Sequence, residues 1–264
     1  KMLRGTFILL ISSLLAVEAF IRPSYYGGGG GYDEDCDCDT SSTVVVPTST
    51  PTTTTEGPTT TLKLTTICLE GWTKYPRTPS ASNNNQDAYC LKFISSNTTI
   101  TINNASQICQ QAGGHLTAFE NEIERQAIMA EAGDHITKTI KSTIGAIALA
   151  GDRIKQCSTK NSTIIENPPC NDKTKVFTLP LTAQTNPEYL WTTWAQGEPS
   201  ANWWEYDIED CLQMFINPSN NTGASGRIND FYCNRLVAPN EPDNIRYMMY
   251  GALCGRDVEM EAAG

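Results

Sequence analysis

Histidine is scarce in this chain, with only two among 264 residues, and the familiar catalytic motifs are missing. His115 lies in a Gly-Gly-His-Leu turn, and His135 has no second ligand at a spacing that would hold a metal. The sequence contains no zinc-protease helix, no phosphate-binding glycine loop and no nucleophile elbow. We therefore expect a binding protein and not an enzyme.

Basic residues are also few. Lysine and arginine together number 19 against 29 acidic residues, which gives a formal net charge of −10. Because nucleic-acid binding needs a basic surface, no nucleic-acid partner is expected. Beyond residue 19 the chain lacks any apolar run of the roughly 20 residues that cross a bilayer, so no membrane span is expected either.

Residues 1–19 have the pattern of a secretory leader. Arg4 lies near the start, an apolar run extends from Phe7 to Val17, and small residues precede a cleavage position. We expect cleavage after Ala19, with Ala16 as the alternative. The mature protein is then expected to be secreted and extracellular.

The segments that follow the leader contain little that could form a core. Residues 20–39 are rich in Gly and Tyr and then acidic, which predicts disorder. Their Cys36 and Cys38 favour a disulfide-linked homo-oligomer, with a local bridge, variable caps or a metal site as alternatives. Residues 40–67 are dominated by Thr and Pro, which is typical of an O-glycosylated, mucin-like stalk or of an unmodified linker.

Residues 68–255 are predicted to form the globular domain, followed by a short, acidic and frayed tail at 256–264. Eight of the ten cysteines lie in the domain and predict a disulfide framework, although spacing alone cannot choose among about 105 pairings. Four sequons are candidate N-glycosylation sites: Asn97, Asn104, Asn161 and Asn220.

Two helices are predicted within the domain. The first runs from Ala105 to about Ala112, capped by Asn103 or Asn104 and ended by Gly113. The second begins at Glu122 after an Asn121 cap.

That second helix is expected to end near Ala132, with Gly133 as its stop and Ile128 on its buried face. The other elements are short strands: hairpin arms at Leu69–Trp72 and Ala88–Phe93, then Ile144–Leu149, Val176–Leu179, Cys211–Ile216 and Tyr247–Cys254. Two helices with short, mostly antiparallel strands predict an α+β fold.

Oxygen-bearing side chains are concentrated between Trp194 and Cys233. They occur in three groups: Glu198-Pro199-Ser200, Glu209-Asp210 and Asn229-Asp230. Carboxylate, amide and hydroxyl oxygens of this kind suit calcium, which takes about six to eight oxygen ligands. Coordination positions left open could accept a vicinal diol of a sugar. A glycosidase would also use paired carboxylates, but the neighbouring amide and hydroxyl donors favour cation binding.

These groups resemble the motifs of the C-type lectin-like domain over about Cys68 to Cys254. Glu198-Pro199-Ser200 resembles that family's Glu-Pro-Asn, and Ile228-Asn229-Asp230 resembles its Trp-Asn-Asp. The other matching segments are Gly113-Gly114-His115-Leu116, Ile144-Gly145, Leu190-Trp191-Thr192 and Glu209-Asp210-Cys211. The resemblance implies two helices packed on short strands, with long disulfide-tied loops.

The resemblance also implies particular pairings and roles. The disulfides would be Cys68–Cys90, Cys109–Cys254, Cys157–Cys170 and Cys211–Cys233. The Glu198–Pro199 peptide would be cis. One calcium ion would be held by Glu198, Ser200, Glu209, Asn229 and Asp230. A glycan would contact Glu198, Ser200, Glu209, Asn229 and Trp203, with Trp204 as an alternative aromatic contact.

Three departures from the family pattern bear on that site. Ser200 replaces an amide-bearing Asn, which predicts weak calcium binding. Ile228 replaces a Trp. Ala201 stands where some relatives have an acid for a second calcium, so a single ion is expected.

The predicted function is secreted, calcium-dependent glycan binding, with mannose-type sugars slightly favoured over galactose-type. The alternative is a lectin-like domain that has lost calcium and recognises a protein, or serves in an extracellular coat.

Overall fold

The computed structural model describes residues 64–205, 207–218, 224–238 and 240–262. The leader, the acidic segment with Cys36 and Cys38, nearly all of the predicted stalk and the Asn220 sequon lie outside the described residues. The predictions made for them are therefore untested by the structure.

The described residues form twelve strands and three α-helices. In chain order, the first elements are β1 (Leu64–Ile67), β2 (Thr73–Pro76), β3 (Ala88–Ile100), α1 (Ile102–Gln111), β4 (His115–Leu116) and α2 (Glu122–His135). They are followed by β5 (Gly145–Arg153), α3 (Ser162–Ile165), β6 (Phe177–Thr178), β7 (Trp203–Trp204) and β8 (Asp207–Ile208). The last are β9 (Cys211–Ile216), β10 (Ile228–Phe231), β11 (Met249–Asp257) and β12 (Glu259–Ala262).

The main sheet has the strand order β10-β9-β5-β11-β3-β2, with β4 added to β11 and β6 to β5. Only the β5–β11 pairing is parallel among the described strands; the others are antiparallel. β5 is central and its residues Ala146–Leu149 are fully buried. The predicted α+β class is confirmed, because helices α1 and α2 accompany a mixed and mostly antiparallel sheet. Because β5, β9 and β10 are neighbours, the segments at their ends come together, which positions the site described below.

Helix α1 begins three residues earlier than predicted. Its cap is Thr101, whose hydroxyl accepts a hydrogen bond from the Asn104 amide N–H. The Asn104 side chain in turn accepts from the Thr101 backbone, which completes a capping box. The prediction of Asn103 or Asn104 as the cap was therefore wrong. Thr101 supplies the capping oxygen, and Asn104, three positions later, supplies the reciprocal acceptor of the capping box. Gly113 follows the helix with a φ of +79°, as a helix-ending glycine should.

The Thr101→Ala variant should lose about 1 kcal/mol of unfolding free energy, because an amide N–H of the first turn loses its acceptor. Gln110→Ala, an exposed change in the same helix, should alter stability by no more than about 0.5 kcal/mol. Urea denaturation of both variants measures the difference. Equal stabilities would show that the cap contributes nothing.

Helix α2 is longer than predicted. Asn121 caps it by accepting from the Glu124 amide, and Ile128 is buried, as expected. However, the helix runs through Gly133 to His135 and continues as one π-helical turn, Ile136–Ile140. Gly133 faces Pro218 and has no positive φ, so the helix continues through it.

The prediction of the hairpin arms and the prediction of a frayed tail were both wrong. The partner of β3 is β2, since Leu69–Trp72 forms a turn closed by a Trp72 N–H to Leu69 C=O hydrogen bond of 3.0 Å. The tail expected to be frayed contains β12, which pairs antiparallel with β1. The backbone groups of each strand satisfy those of the other, so ordered structure extends to both sides of the predicted 68–255 domain.

The described residues contain four disulfides, and their pairing is the one that the resemblance implies. Cys109–Cys254 joins helix α1 to strand β11 across 145 residues. Cys211–Cys233 links the start of β9 to the residues that follow β10, next to the predicted site.

Candidate functional site

Three chain segments converge at one end of β9 and β10. Glu209 and Asp210 immediately precede β9, and Asn229 and Asp230 lie in β10 opposite Gln213 and Leu212. The third segment is the loop 198–202, whose backbone donates to the side chains of the other two. The structure thus brings the five predicted ligand residues into one region, although their individual arrangement differs from the prediction.

Ser200 binds a glutamate of the cluster. Its hydroxyl donates to Glu209 Oε2 at 2.8 Å, and the Asn202 amide N–H donates to the same oxygen at 2.8 Å. The Asn202 side chain donates to Ser200 Oγ at 2.7 Å. Loop 198–202 is therefore attached to Glu209 through both side-chain and backbone hydrogen bonds.

The carboxylate of Asp230 is fully buried and heavily hydrogen-bonded. Its Oδ1 accepts from the Ser200 N–H at 3.0 Å, and its Oδ2 accepts from the Ala201 N–H at 2.9 Å. Oδ2 also accepts from Arg153 Nη2 in a buried ion pair. Asn229 Nδ2 donates to the Asp230 backbone carbonyl at 2.6 Å. The carboxylate and the backbone carbonyl of Asp230 thus both have protein partners.

Arg153 is the site residue that the sequence reasoning missed. It ends β5, and its side chain is only 1% exposed. Its Nε donates to the Glu209 carbonyl at 3.0 Å and lies 3.5 Å from Asp210 Oδ1. Its guanidinium stacks over Phe177 at 4.7 Å. The sequence signal was an arginine at the end of a buried apolar run, which by itself does not indicate what the side chain contacts.

Glu198 has an incompletely satisfied carboxylate. The Glu198–Pro199 peptide is cis, and the Glu198 carbonyl accepts from Lys173 Nζ. Glu198 Oε2 is buried with no hydrogen-bond partner among the described residues, although the side chains of Ser200 and Asp230 lie close to the Glu198 carboxyl group. An unpaired buried carboxylate oxygen is costly, which points to a partner that the protein itself does not supply.

The pKa values of the two glutamates are raised, as expected for buried carboxylates that lack sufficient positive charge nearby. Burial, and then the charge of Asp230, raise the pKa of Glu198 to about 7. The same two causes, in the same order, raise the pKa of Glu209 to about 7. Among the described residues, Arg153 is the buried cation that acts on Glu209 and Asp230, so these two carboxylates and Glu198 outnumber it.

The fit of a calcium ion to these residues is mixed. The surplus of carboxylates, the unpartnered Glu198 oxygen and the nearby hydroxyl and amide donors suit a hard cation. The carboxylate of Asp230 is less suited to bind the ion, because it already accepts hydrogen bonds from Arg153 and from two backbone amides. Consistent with this, no three His, Cys, Asp or Glu side chains form a ready-made metal cage within the part of the chain that the structure describes.

The two adjacent tryptophans differ in accessibility. Trp203, the predicted sugar contact, donates its indole N–H to the Thr159 carbonyl, and Lys160 Nζ lies 4.3 Å from its ring centre. Trp204 is 42% exposed, with the Arg235 guanidinium 4.2 Å from its ring. Each ring thus has a cation over one face, and Trp204 is the more exposed of the two residues.

Three of the four sequons lie in the described residues. Asn97, Asn104 and Asn161 are all exposed. The side chains of Asn104 and Asn161 accept capping hydrogen bonds at the starts of α1 and α3, whereas Asn97 lies within strand β3.

The fold, the four disulfides and the site motifs define a C-type lectin-like domain. The profile of the family described as C-type lectin domain-containing protein 141/158 matches residues 74–257, and the chain belongs to this family. C-type lectin domains are generally binding modules without enzymatic activity. No described helix is long and apolar enough to cross a membrane.

Two relatives from Caenorhabditis elegans are similar in sequence. C-type lectin domain-containing protein 141 is 37% identical over 201 residues, which are 72% of this chain and 66% of the relative. C-type lectin domain-containing protein 158 is 34% identical over 189 residues, which are 72% of this chain and 88% of the relative. The chain thus spans slightly less than two thirds of the length of the first of them.

Solved structures are more distant. The cow C-type carbohydrate-recognition domain of CD23, solved with a GlcNAc2Man3 oligosaccharide, is 16% identical with a TM-score of 0.42, covering 73% of this chain and 98% of that one. A calcium-independent type II antifreeze protein is 15% identical with a TM-score of 0.40, covering 74% and 98%. Likeness at this level does not indicate a ligand for this chain.

Proposed function

We propose that this protein is a secreted, calcium-dependent carbohydrate-binding protein that holds one calcium ion at the cluster around Glu198 and Glu209. The observation that carries the proposal is the buried, unpartnered Oε2 of Glu198 within a group of carboxylates that outnumber their cations. A divalent cation would neutralise that surplus and supply the missing partner.

Glu198 and Glu209 would be the charged ligands, with Ser200 Oγ and the Asn229 side-chain oxygen as neutral ones. Asp230 would act differently from the family pattern, because its carboxylate holds the backbone of Ser200 and Ala201 in place. Fewer charged ligands lower calcium affinity, so binding would be weak.

Calcium, when bound, supplies open coordination positions for two adjacent hydroxyls of a sugar. Glu198 and Glu209 would accept hydrogen bonds from those hydroxyls, and Asn229 would donate. Trp204 would contact the apolar face of the sugar in place of Trp203, because Trp204 is the more exposed and the Trp203 indole N–H is bonded to Thr159. Mannose-type diols are slightly favoured, because the acid precedes the proline in Glu198-Pro199, as in the mannose-type motif.

The segments before the domain would support glycan binding by positioning the domain and by linking copies of the chain. A stalk at 40–67 would hold the domain away from whatever the amino terminus contacts. Covalent oligomers through Cys36 and Cys38 would compensate for weak single-site affinity by raising the effective concentration.

A second candidate function is recognition of a partner without calcium. The specific observation in its favour is Arg153, whose guanidinium already neutralises Asp230 inside the site. On this alternative, Glu198 and Glu209 would be protonated near neutral pH instead of binding a cation.

A glycan array probed with the secreted full-length protein tests the proposal. We expect binding to mannose-type glycans in millimolar calcium and its loss in excess chelator. Glu198→Gln should also abolish binding, since a neutral amide is a poorer calcium ligand than a carboxylate. The matched control is Glu166→Gln, which removes an exposed acid elsewhere and should bind like the unmodified protein.

Glycan binding that persists unchanged in chelator would favour the calcium-free alternative. An absence of glycan binding in both conditions, with Glu166→Gln and the unmodified protein folded, would contradict the proposed carbohydrate function.

A further inference from the structure

Arg153 connects all three segments of the site, two of them directly and the third through Asp230. Its Nε donates to the Glu209 carbonyl at 3.0 Å in the segment before β9. Its Nη2 donates to Asp230 Oδ2 in β10. Asp230 in turn accepts from the backbone N–H groups of Ser200 and Ala201 in the third segment. One guanidinium thus connects, directly or through a single carboxylate, every segment that carries a proposed ligand.

The position of Arg153 is itself well determined. Its backbone N–H donates to the Asp210 carbonyl at 2.8 Å, and it pairs with Phe177 in the β5–β6 ladder. Its guanidinium lies over the Phe177 ring at 4.7 Å, and its side chain is 1% exposed. A guanidinium that is held in place by packing on an aromatic ring can donate several hydrogen bonds and so fix the positions of its acceptors.

We infer that Arg153 is an internal cation that keeps the three site segments assembled without a metal ion and thereby limits the affinity of the site for calcium. The first part follows from its contacts, because Arg153 bonds to two of the segments directly and reaches the third through Asp230. The second part follows from charge, because a guanidinium beside Asp230 both occupies that carboxylate and repels a second cation nearby. Only this second part rests on the proposed function.

Hydrogen exchange measured in excess chelator tests the first part. In the unmodified protein, the amides of Ser200, Ala201 and Asn202 should be protected without calcium, because Asp230 and Glu209 accept from them. In Arg153→Met, exchange at these amides should rise at least about tenfold as the segments open locally. The control is Arg235→Met, which removes a nearby arginine that stacks on Trp204 and leaves the acidic cluster intact.

Calorimetric titration with calcium chloride alone tests the second part. Arg153→Met should bind calcium about tenfold more tightly than the unmodified protein, because Asp230 becomes available and a positive charge is removed. Arg153→Lys should keep the weak affinity, since it retains the charge. A residue that mattered only for folding would not raise calcium affinity when it is replaced.

The outcomes distinguish the role of Arg153 in assembling the segments from its effect on calcium affinity. Unprotected amides in the unmodified protein in chelator, or equal protection in Arg153→Met, would overturn the role of Arg153 in assembly. Equal calcium affinities in a folded Arg153→Met would overturn its effect on affinity. If neither protein binds calcium while the protection difference holds, the assembly role stands and the calcium part of the proposed function fails.

A contingency covers the case in which Arg153→Met does not fold. Arg153→Lys then carries the exchange measurement, because a single ammonium group cannot reproduce the guanidinium fork that reaches both Glu209 and Asp230. Partial loss of protection at Ser200 and Ala201 would support the inference. Full protection in Arg153→Lys would overturn the requirement for the guanidinium.

Discussion

Replacing Arg77 with methionine should lower the free energy of unfolding by about 3–5 kcal/mol, which is the usual cost of removing one partner from a buried ion pair. Arg77 forms a bidentate pair with Glu124, with Nε to Oε1 at 2.8 Å and Nη2 to Oε2 at 3.0 Å. Both side chains are fully buried. Without Arg77, Glu124 and the neighbouring Glu120 would be left as buried acids without a counter-charge.

The cost should be large because Arg77 also joins distant parts of the domain. Its Nη1 donates to the Gln184 carbonyl at 2.6 Å and lies 3.5 Å from Glu120. Its guanidinium stacks on Tyr89 at 4.4 Å. Methionine replaces part of the apolar stem but none of the hydrogen bonds.

Urea denaturation of Arg77→Met and of the double variant Arg77→Met/Glu124→Gln separates two causes of the loss: the uncompensated charge of Glu124 and the missing hydrogen bonds of Arg77. If the uncompensated charge of Glu124 accounts for most of the loss, the double variant should recover part of it. The matched control is Arg125→Met, which removes an arginine from a more exposed i,i+3 pair with Glu122 and should cost about 1 kcal/mol or less. A loss in Arg77→Met no larger than that of the control would contradict the prediction.

In excess chelator, the protein should become less stable as the pH rises from about 5 to 7.5. The pKa values of Glu198 and Glu209 are both raised to about 7 in the folded protein, by burial first and by Asp230 second. In the unfolded chain a glutamate titrates near 4.3. The folded state therefore binds more protons in this window, so the stability present below the unfolded pKa is lost as the pH rises through the folded pKa.

The expected loss is on the order of 2–4 kcal/mol for the pair, reduced from the full shift because Glu198 is only partly buried. Calcium should oppose it, since a bound cation stabilises the ionised carboxylates and raises stability by mass action. The calcium-induced rise in Tm should accordingly be larger at pH 7.5 than at pH 5.

Thermal unfolding at four or five pH values, with calcium and with chelator, measures both effects. The double variant Glu198→Gln/Glu209→Gln should show a flatter pH profile in chelator and no calcium response, whereas Glu166→Gln should behave like the unmodified protein. A flat profile for the unmodified protein in chelator would show that these carboxyls do not carry the expected pKa shifts.

Much of the domain was predictable from its sequence because the relevant interactions are local or repeated in a recognisable order. Asn121 and Glu124 are three residues apart, so the cap of α2 could be identified from the sequence alone. Gly113 ends α1 for a reason that lies in its own backbone. The disulfide pairing, the α+β fold and the position of the acidic groups came from motifs that resemble the C-type lectin-like domain.

The lengths of the helices were harder to predict from the sequence. Gly133 has the residue type of a helix stop, but its contact with Pro218 belongs to a distant segment, and α2 continues past it. The pairing of β12 with β1 likewise joins the two ends of the described chain. Neither partner can be inferred from the neighbouring residues.

The sequence alone identified the oxygen donors of the candidate site, because Glu198, Glu209 and Asp230 follow a recognisable order. Only the tertiary structure decided how those donors are used. Arg153 meets Asp230 across 77 residues, and it does so because β5 pairs with β9 and β9 with β10 in one particular register. Strand register is a property of the whole sheet, so the charge that lies inside the site could not be derived from any single stretch of the chain.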